Sequence, residues 1–526
     1  MTTAQAKFIL RLADPSRSSP LRTRICEALQ DAAKEPWISA FEDLLTILNE
    51  PTEEQRAGIA TCSTDQMDAM RCNLSPDASV DDIRNRIVKL RTMYDWRALR
   101  AVVSVCPGTH DDGGAGFRIS DLFNVLDMHQ HSGHGFPVEC NEFLTPQRIS
   151  GARNALKMLL MAMFYVDWQH HRITKRRMLG QHYDFARALG RRMQRRAMER
   201  TRGATCDGRW FYMDRDFYLS DVSFVSMNYD PIALWCQWLA NRDLNHSSSV
   251  PHIGCPARRV QLFHDYGHFV PSYRVGSTDQ IRFPMNESAA QRLNDCHHGA
   301  SDRILLSKFL LPHGCLWWRE CPSCGKLSSY QSNTWDIDSP TLIPPPPLKK
   351  FVQEGDASQR PEERDAWEKG EVDVRKCVHC ETLTYTHHAP IRMQSNFKGA
   401  APPFLAEIER DLRVLVKDAN HVVFMGYSLP RDDVDYRAFF AARSRRYGAN
   451  RVKCSVIIGK GDGRRWLGPS EWSSAAAGKE TLDAACEIFG KENVRYYGGG
   501  IPNVFMDGDE VTNAAMDRLL NWDRLT

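Results

Sequence analysis

The chain has 526 residues, 42% of them hydrophobic and 25% charged, with a formal net charge of +3. That length predicts two to four units able to bury a sizeable core, and the near-balanced charge gives no support to a nucleic-acid binder. No run of eighteen apolar residues predicts a membrane span, and the opening MTTAQAKFILRLADPSRSS lacks the apolar core of a secretory signal.

Residues 1–204 read as a mainly helical N-terminal region. PWISAFEDLLTILNE (36–50) and VDDIRNRIVKLRTMYDW (80–96) carry apolar residues at helical spacing. RAVVSVC (100–106) reads as a short buried strand, running into the Gly-rich loop PGTHDDGGAG (107–116). RISGARNALKMLLMAMFYVDWQH (148–170) is apolar nearly all round, which predicts a buried helix. The arginines of 170–202 predict a helix with a basic face, either solvated or turned toward an acidic partner or nucleic acid.

The texture changes after residue 204. YLSDVSFVSMNYD (218–230) reads as a buried strand ending in a polar turn, and ALWCQWLANR (233–242) as a helix. Residues 243–300, rich in His, Gly and Pro, read as irregular. ILLSKFLLPHG (304–314) is another apolar run with a sharp polar end. Residues 335–372, with PPPP at 344–347, predict an exposed or disordered loop. NHVVFMGYSLPRDDVDYRAFFAAR (420–443) reads as strand, turn and helix, and VKCSVIIGK (452–460) and ENVRYYGGG (492–500) as strands. Strands alternating with helices predict an α/β fold with a parallel sheet and helices on both faces.

Sixteen cysteines are present. Most stand alone, so buried thiols and one metal site in a reducing, cytoplasmic setting are expected rather than a disulfide framework. The exceptions are two C-x-x-C pairs, Cys321/Cys324 and Cys377/Cys380, separated by 52 residues. Each pair can aim two thiolates at one centre, and four thiolates form the tetrahedral set of a structural zinc. Such a set leaves no open position for catalysis.

Three predicted strands carry chemistry at their carboxyl ends, where ligands sit in open α/β sheets. Asn228 and Asp230 offer hydrogen bonds to a sugar or a water. His313 offers a base. Gly426 and Ser428 stand where a strand turns into a helix, and backbone N–H groups there can hold a phosphate.

The order of these features resembles the sirtuin family: Asn-x-Asp, His-Gly, a split cysteine quartet, then Gly-x-Ser-Leu after a β-run. The likeness is closer to the divergent bacterial sirtuin-like proteins, many of them in antiphage defence. Those carry Asn-Tyr-Asp, Leu-His-Gly-Ser and Gly-Tyr-Ser-Leu-Pro followed by acidic residues; here the last reads Gly426-Tyr427-Ser428-Leu429-Pro430-Arg431-Asp432-Asp433. FEDLL (41–45) looks like a further segment of that group. The resemblance covers roughly 218–500.

It implies a Rossmann-like core in two parts, 205–314 and 393–526, with a zinc-ribbon-like module at 315–392. It also implies a site for nicotinamide adenine dinucleotide (NAD), consumed as substrate. Asn228 would hold the ribose and order a water, Asp230 would support the nicotinamide side, and His313 would act as general base. Gly426, Tyr427 and Ser428 would line the pyrophosphate, with Gly459 near the adenosine ribose. A glycohydrolase is expected ahead of two alternatives, an NAD-dependent protein deacylase and an inactive interaction protein on the same fold. A protein partner or a second copy is compatible with each.

One element of the sirtuin pattern is missing. The family opens with a strand and Gly-Ala-Gly-x-Ser, and nothing before residue 40 fits. Gly114-Ala115-Gly116-Phe117 comes after FEDLL and has Arg118 where Ser belongs. The first strand is lost, or loop 107–120 with Gly114 and Gly116 replaces it, or the site no longer binds a dinucleotide.

Overall fold

The computed structural model describes residues 96–107, 119–137, 143–200, 222–246, 272–274, 280–281, 308–321, 324–332, 334–344, 375–376, 383–384, 389–393, 395–397, 403–431, 433–447, 452–459, 463–468, 471 and 478–522. The helices expected at 36–50 and 80–95, the FEDLL segment, Gly114 and Gly116 lie outside the described residues.

The first described element corrects an expectation. Residues 100–106 were to be a strand, but α1 (Trp96–Ser104) is a helix. The β-branched pair Val102–Val103 suggested the strand. Leu99, Val102, Val103 and Cys106 are all buried and stand at i, i+3, i+4 and i+7, the spacing of one helical face. That face packs with α2 (Ile119–Ser132) against α3 (Pro146–His171). α3 begins where Thr145 accepts from the Arg148 N–H, with Pro146 in the first turn. Its Ile149, Ala152, Leu156, Leu160 and Trp168 are buried. α4 (Arg176–Arg200) follows and packs along α5 (Ile232–His246). Its basic face is partly internal. Arg192 is buried and donates to Asp517 (3.1 Å) and Asn521 (3.1 Å), while Arg177, Arg187 and Arg191 are exposed.

The strands form small sheets, some of them parallel. β1 (Phe224–Val225) pairs in parallel with β4 (Phe309–Leu310). A second sheet has the order β3-β2-β6-β5, from β2 (Ser272–Arg274), β3 (Gln280–Ile281), β5 (Trp318–Glu320) and β6 (Leu327–Gln331). β2 and β3 fall in the stretch expected to be irregular. β7 (Arg375–Lys376) and β8 (Leu383–Thr384) form an antiparallel pair. The largest parallel unit is β9 (His421–Met425), β10 (Lys453–Ile457) and β12 (Val494–Tyr497), with the short antiparallel β11 (Trp466–Leu467) on the far edge. His421 pairs with Lys453, and Cys454 with Val494.

This last sheet is covered on both faces. Phe424, Val456 and Tyr496 point into one core with α6 (Pro403–Asp418), α7 (Val434–Tyr447) and α8 (Lys479–Phe489). Their neighbours Met425, Ile457 and Tyr497 point into another core with Leu189 and Met193 of α4 and Met516 and Leu519 of α9 (Asn513–Leu520). Strands covered on both faces favour apolar residues on both sides, which is why Val422–Met425 and Val456–Ile457 read as apolar runs. The first core also takes in Trp168, Leu179, Trp317, Trp318, Leu342 and Ile343, so it crosses all the boundaries expected from the sequence.

Segment 334–344 is the second correction. It was expected to begin an exposed loop, yet Leu342 and Ile343 are buried. Three indoles hold it. Trp168 donates to the Ser339 carbonyl (2.8 Å), Trp235 to Asp336 (3.1 Å) and Trp317 to Leu342 (2.6 Å). Trp335 stacks flat on Trp235 at 5.3 Å. These buried donors satisfy the backbone of a segment that has no ladder of its own. The remainder of the expected loop, from 345, lies outside the described residues.

Beneath the sheet, Arg495 is buried and ties down the C-terminal end of α9. Its guanidinium donates to the carbonyls of Arg518 (2.7 Å) and Leu519 (3.0 Å), where a cation meets the negative end of the helix. Its Nε donates to Ser455 (2.6 Å), which also meets His421 Nε2 (2.7 Å). Burial, then the nearby Arg495 charge, holds the His421 imidazole down at about 4. The folded value is below the ordinary ~6.5, so the neutral ring contributes stability fully above ~6.5 and loses it as pH falls toward the folded value. Acidification from pH 7 to 4.5 is expected to cost on the order of 2–3 kcal/mol through this group. Denaturant titration at both pH values checks it: His421→Gln should flatten the difference, and an unchanged difference refutes the assignment.

Candidate active site at the strand ends

Three turns leave the carboxyl ends of parallel strands. After β1 the ladder continues one step, with the Ser226 N–H on Leu310 O (2.9 Å), and the chain then turns through Met227–Asp230 into α5. After β4 the chain turns at Pro312–His313, closed by the Gly314 N–H on Leu311 O (2.9 Å). After β9 it turns through Gly426–Asp433 into α7. Gly426 (φ 66°) and Leu429 (φ 50°) both adopt left-handed backbone there. For leucine that conformation is uncommon and costly, so surrounding contacts must hold it. Leu429 is buried, and its carbonyl accepts from Arg437 (3.4 Å).

The structure brings the three turns together around His313. Its side chain is completely buried, at 0% exposure. Nδ1 lies 3.1 Å from the Met227 carbonyl of the first turn. A carbonyl only accepts, so Nδ1 carries the proton and Nε2 is left as the basic nitrogen. Nε2 faces Asp433 of the third turn, 3.5 Å from its Oδ1. Asp433 is equally buried, and its other oxygen accepts from the Tyr427 hydroxyl (2.7 Å). Burial, then the Asp433 charge, pushes the Tyr427 phenol far above its ordinary range, so it stays a proton donor. The imidazole also packs edge-to-face on Tyr436 at 5.3 Å and against Tyr229 at 6.2 Å.

A fourth segment closes the back. The Arg392 N–H donates to the His313 carbonyl (2.9 Å), and the Tyr229 hydroxyl to the Arg392 carbonyl (3.0 Å). The Leu316 N–H donates to Tyr229 O (2.9 Å). Gly314 sits inside this crossing with φ 83°, and a Cβ there would lie 1.9 Å from Pro390 O. Gly314→Ala therefore has both a forbidden backbone and a clash with backbone that cannot swing away. A loss of about 3 kcal/mol or more is expected, measurable by denaturant unfolding. A variant within about 0.5 kcal/mol of the parent would contradict the crossing.

The other expected site residues are placed as follows. Asn228, Gly426, Ser428 and Gly459 are exposed. Gly426 and Gly459 stand at the ends of adjacent strands, and a Cβ on Gly459 would meet nothing within 4 Å. Backbone is thus bare beside the turns, which allows close approach of a ligand. Asp230 is turned to the start of α5, where Oδ1 accepts from the Ile232 N–H (3.1 Å), and burial pushes its carboxyl above the usual range. Cys315 is buried and its thiol is pushed up to about 12, chiefly by burial, so it is no nucleophile near neutrality.

The first cysteine pair occupies a tight turn between β5 and β6. Glu320 pairs with Leu327, leaving six residues between them. The Cys321 N–H donates to Lys326 O (3.0 Å), the Gly325 N–H to Cys321 O (2.8 Å), and Gly325 has φ 69°. Lys376 pairs with Leu383 in the same way, again with six residues between. Cys377 and Cys380 hold the first and fourth of those places, as Cys321 and Cys324 do, but lie outside the described residues. Among the described residues no group of three or more His, Cys, Asp or Glu side chains is arranged to hold a metal.

Asp433, Tyr436 and Arg392 were not expected in the site. Asp433 had a visible signal, as the second of the acidic residues that end the turn before the helix. Tyr436 and Arg392 had none, because only folding brings them to His313. No protein-family model matches the chain, and no curated protein is significantly similar to it. Among the described residues, no helix is long and apolar enough to cross a membrane.

Proposed function

We propose that the chain is a sirtuin-like enzyme that consumes NAD by hydrolysing the bond between nicotinamide and ribose. The observation that carries this reading is the meeting of the Met227–Asp230, Pro312–Gly314 and Gly426–Asp433 turns at one buried histidine. They leave the ends of parallel strands, where ligands of α/β sheets bind. The doubly covered sheet supports a Rossmann-like core.

On this reading, the bare backbone at Gly426 and Gly459 and the exposed Ser428 receive the pyrophosphate and adenosine ribose, and Asn228 holds the other ribose. The nicotinamide–ribose bond breaks with its electron pair leaving on nicotinamide. Water adds to the oxocarbenium-like carbon, and His313 Nε2 takes the water's proton. Positioning of the reactants supplies much of the acceleration, up to about 7–11 kcal/mol in favourable cases. Cys321 and Cys324, with Cys377 and Cys380, hold a structural zinc. The matched six-residue spacing of the two pairs supports this. The buried single thiols Cys236, Cys315 and Cys454 fit a reducing, cytoplasmic setting. A role in antiphage defence follows the branch that the chain resembles.

A second reading, an interaction protein on the same fold, is favoured by one observation: His313 has no solvent-exposed surface. Incubating the purified full chain with NAD and separating the products by chromatography decides between them. Free nicotinamide without added peptide supports hydrolysis. Release only with an acylated peptide makes the protein a deacylase. No release in either case, with no NAD binding by calorimetry, leaves the interaction reading.

A further inference from the structure

We propose that Asp433 is the positioning residue of His313 and that Tyr427 in turn positions Asp433, so that the three form one relay between the first and third turns. The assignment of a catalytic task to His313 rests on the function proposed above; the relay rests on geometry.

The His313 ring has two polar neighbours. The Met227 carbonyl takes Nδ1–H at 3.1 Å and fixes the tautomer. The other side belongs to Asp433, whose Oδ1 is 3.5 Å from Nε2. No other carboxylate among the described residues comes within ion-pair reach of the ring. Arg392, whose backbone crosses His313, has its guanidinium on Glu409 and Asp435 instead. The nearby hydroxyls are also turned elsewhere: Tyr229 donates to Arg392 O and Tyr436 to Pro312 O (3.3 Å).

An ionised carboxylate only accepts, so Asp433 has no proton to place on the lone pair of the neutral ring. When Nε2 takes a proton, the imidazolium forms beside a buried carboxylate, where the attraction is stronger than at the surface. The proton later leaves to solvent. Asp433 must not turn away from the ring, and two contacts prevent that. Tyr427 donates to Oδ2 at 2.7 Å. The Asp433 backbone is pinned between the Pro430 carbonyl, accepting at 3.1 Å, and the Arg437 N–H, donating at 3.1 Å. The Tyr427 side chain therefore serves the relay, and Ser428 and the backbone of that turn are left for a phosphate.

Two variants test the relay, Asp433→Asn and Tyr427→Phe. The second deletes one oxygen and spares the fold. The first readout uses no NAD: the imidazole ¹⁵N resonances of His313, assigned by their loss in His313→Gln. Both variants should shift the Nε2 resonance, Asp433→Asn more than Tyr427→Phe. The second readout is steady-state nicotinamide release, where kcat should fall about 10–100-fold in Asp433→Asn with KM within about twofold. An Nε2 resonance at the parental position in both variants overturns the relay. So does an Asp433→Asn enzyme with parental kcat. If the parent releases no nicotinamide, the NAD reading fails, and the resonances alone still decide whether Asp433 positions His313.

Discussion

His313→Gln protein is expected to release nicotinamide about 10²–10⁴-fold more slowly than the parent, the range for loss of a general base. Glutamine is chosen because the His313 side chain is fully buried. Its amide N–H can replace Nδ1–H on the Met227 carbonyl, 3.1 Å from the present nitrogen, and its volume limits the cavity that alanine would leave. What glutamine cannot do is take a proton near neutrality. The variant should therefore keep the parental unfolding midpoint within a few degrees and lose its rate in kcat, with KM little changed. Steady-state release at fixed pH, alongside a thermal melt, separates the two effects. Parental turnover by a folded His313→Gln enzyme would remove His313 from the chemistry.

The largest effect on stability is expected below the site. Lys308 and Asp411 form an ion pair in the core, at 1% and 2% exposure, with Nζ 3.0 Å from Oδ2. Lys308 stands at the start of β4, and Asp411 on α6, so the pair joins the strand that delivers His313 to the helix layer above it. Removing Lys308 takes the 3.0 Å partner from a buried carboxylate whose other oxygen lies 3.9 Å from the mostly exposed Arg410 guanidinium. Lys308→Met should cost about 3–5 kcal/mol in denaturant unfolding. The double variant Lys308→Met, Asp411→Leu should recover most of that loss, because two apolar groups of similar volume need no compensation. A Lys308→Met protein within about 1 kcal/mol of the parent would mean that Asp411 is satisfied without the lysine.

The elements legible in the sequence were those whose pattern is local. β9 opens the stretch 420–443 read as strand, turn and helix, and β10 and β12 fall within 452–460 and 492–500, read as strands. Both faces of that sheet are covered, so most positions are apolar, and among the exceptions His421, Ser455 and Arg495 bond to one another. The long α3 and α4 were equally plain from the apolar residues of 148–170 and the arginines of 170–202. The strand expected at 100–106 failed because β-branching outweighed period: Leu99, Val102, Val103 and Cys106 already had helical spacing. Segment 334–344 was misjudged for a different cause. Its neighbour is a proline-rich acidic stretch, and composition was read across both. Nothing near 336–342 announces that indoles from residues 168, 235 and 317 will satisfy its carbonyls.

The sequence by itself determined which residues could do chemistry and which strands would carry them: Asn228, His313, Gly426 and Ser428 each follow an apolar run and stand in a turn. It also set the two cysteine pairs at matched places. Only the tertiary structure decided that these turns meet, that Asp433 is the group facing Nε2, and that Asp230 is spent on starting a helix. The physical reason is range. Periodicity and turn propensity act over a few residues, whereas the contacts of His313 reach 86 residues back to Met227 and 120 forward to Asp433. Contacts at that separation arise only once parallel strands pair and their ends come to lie side by side.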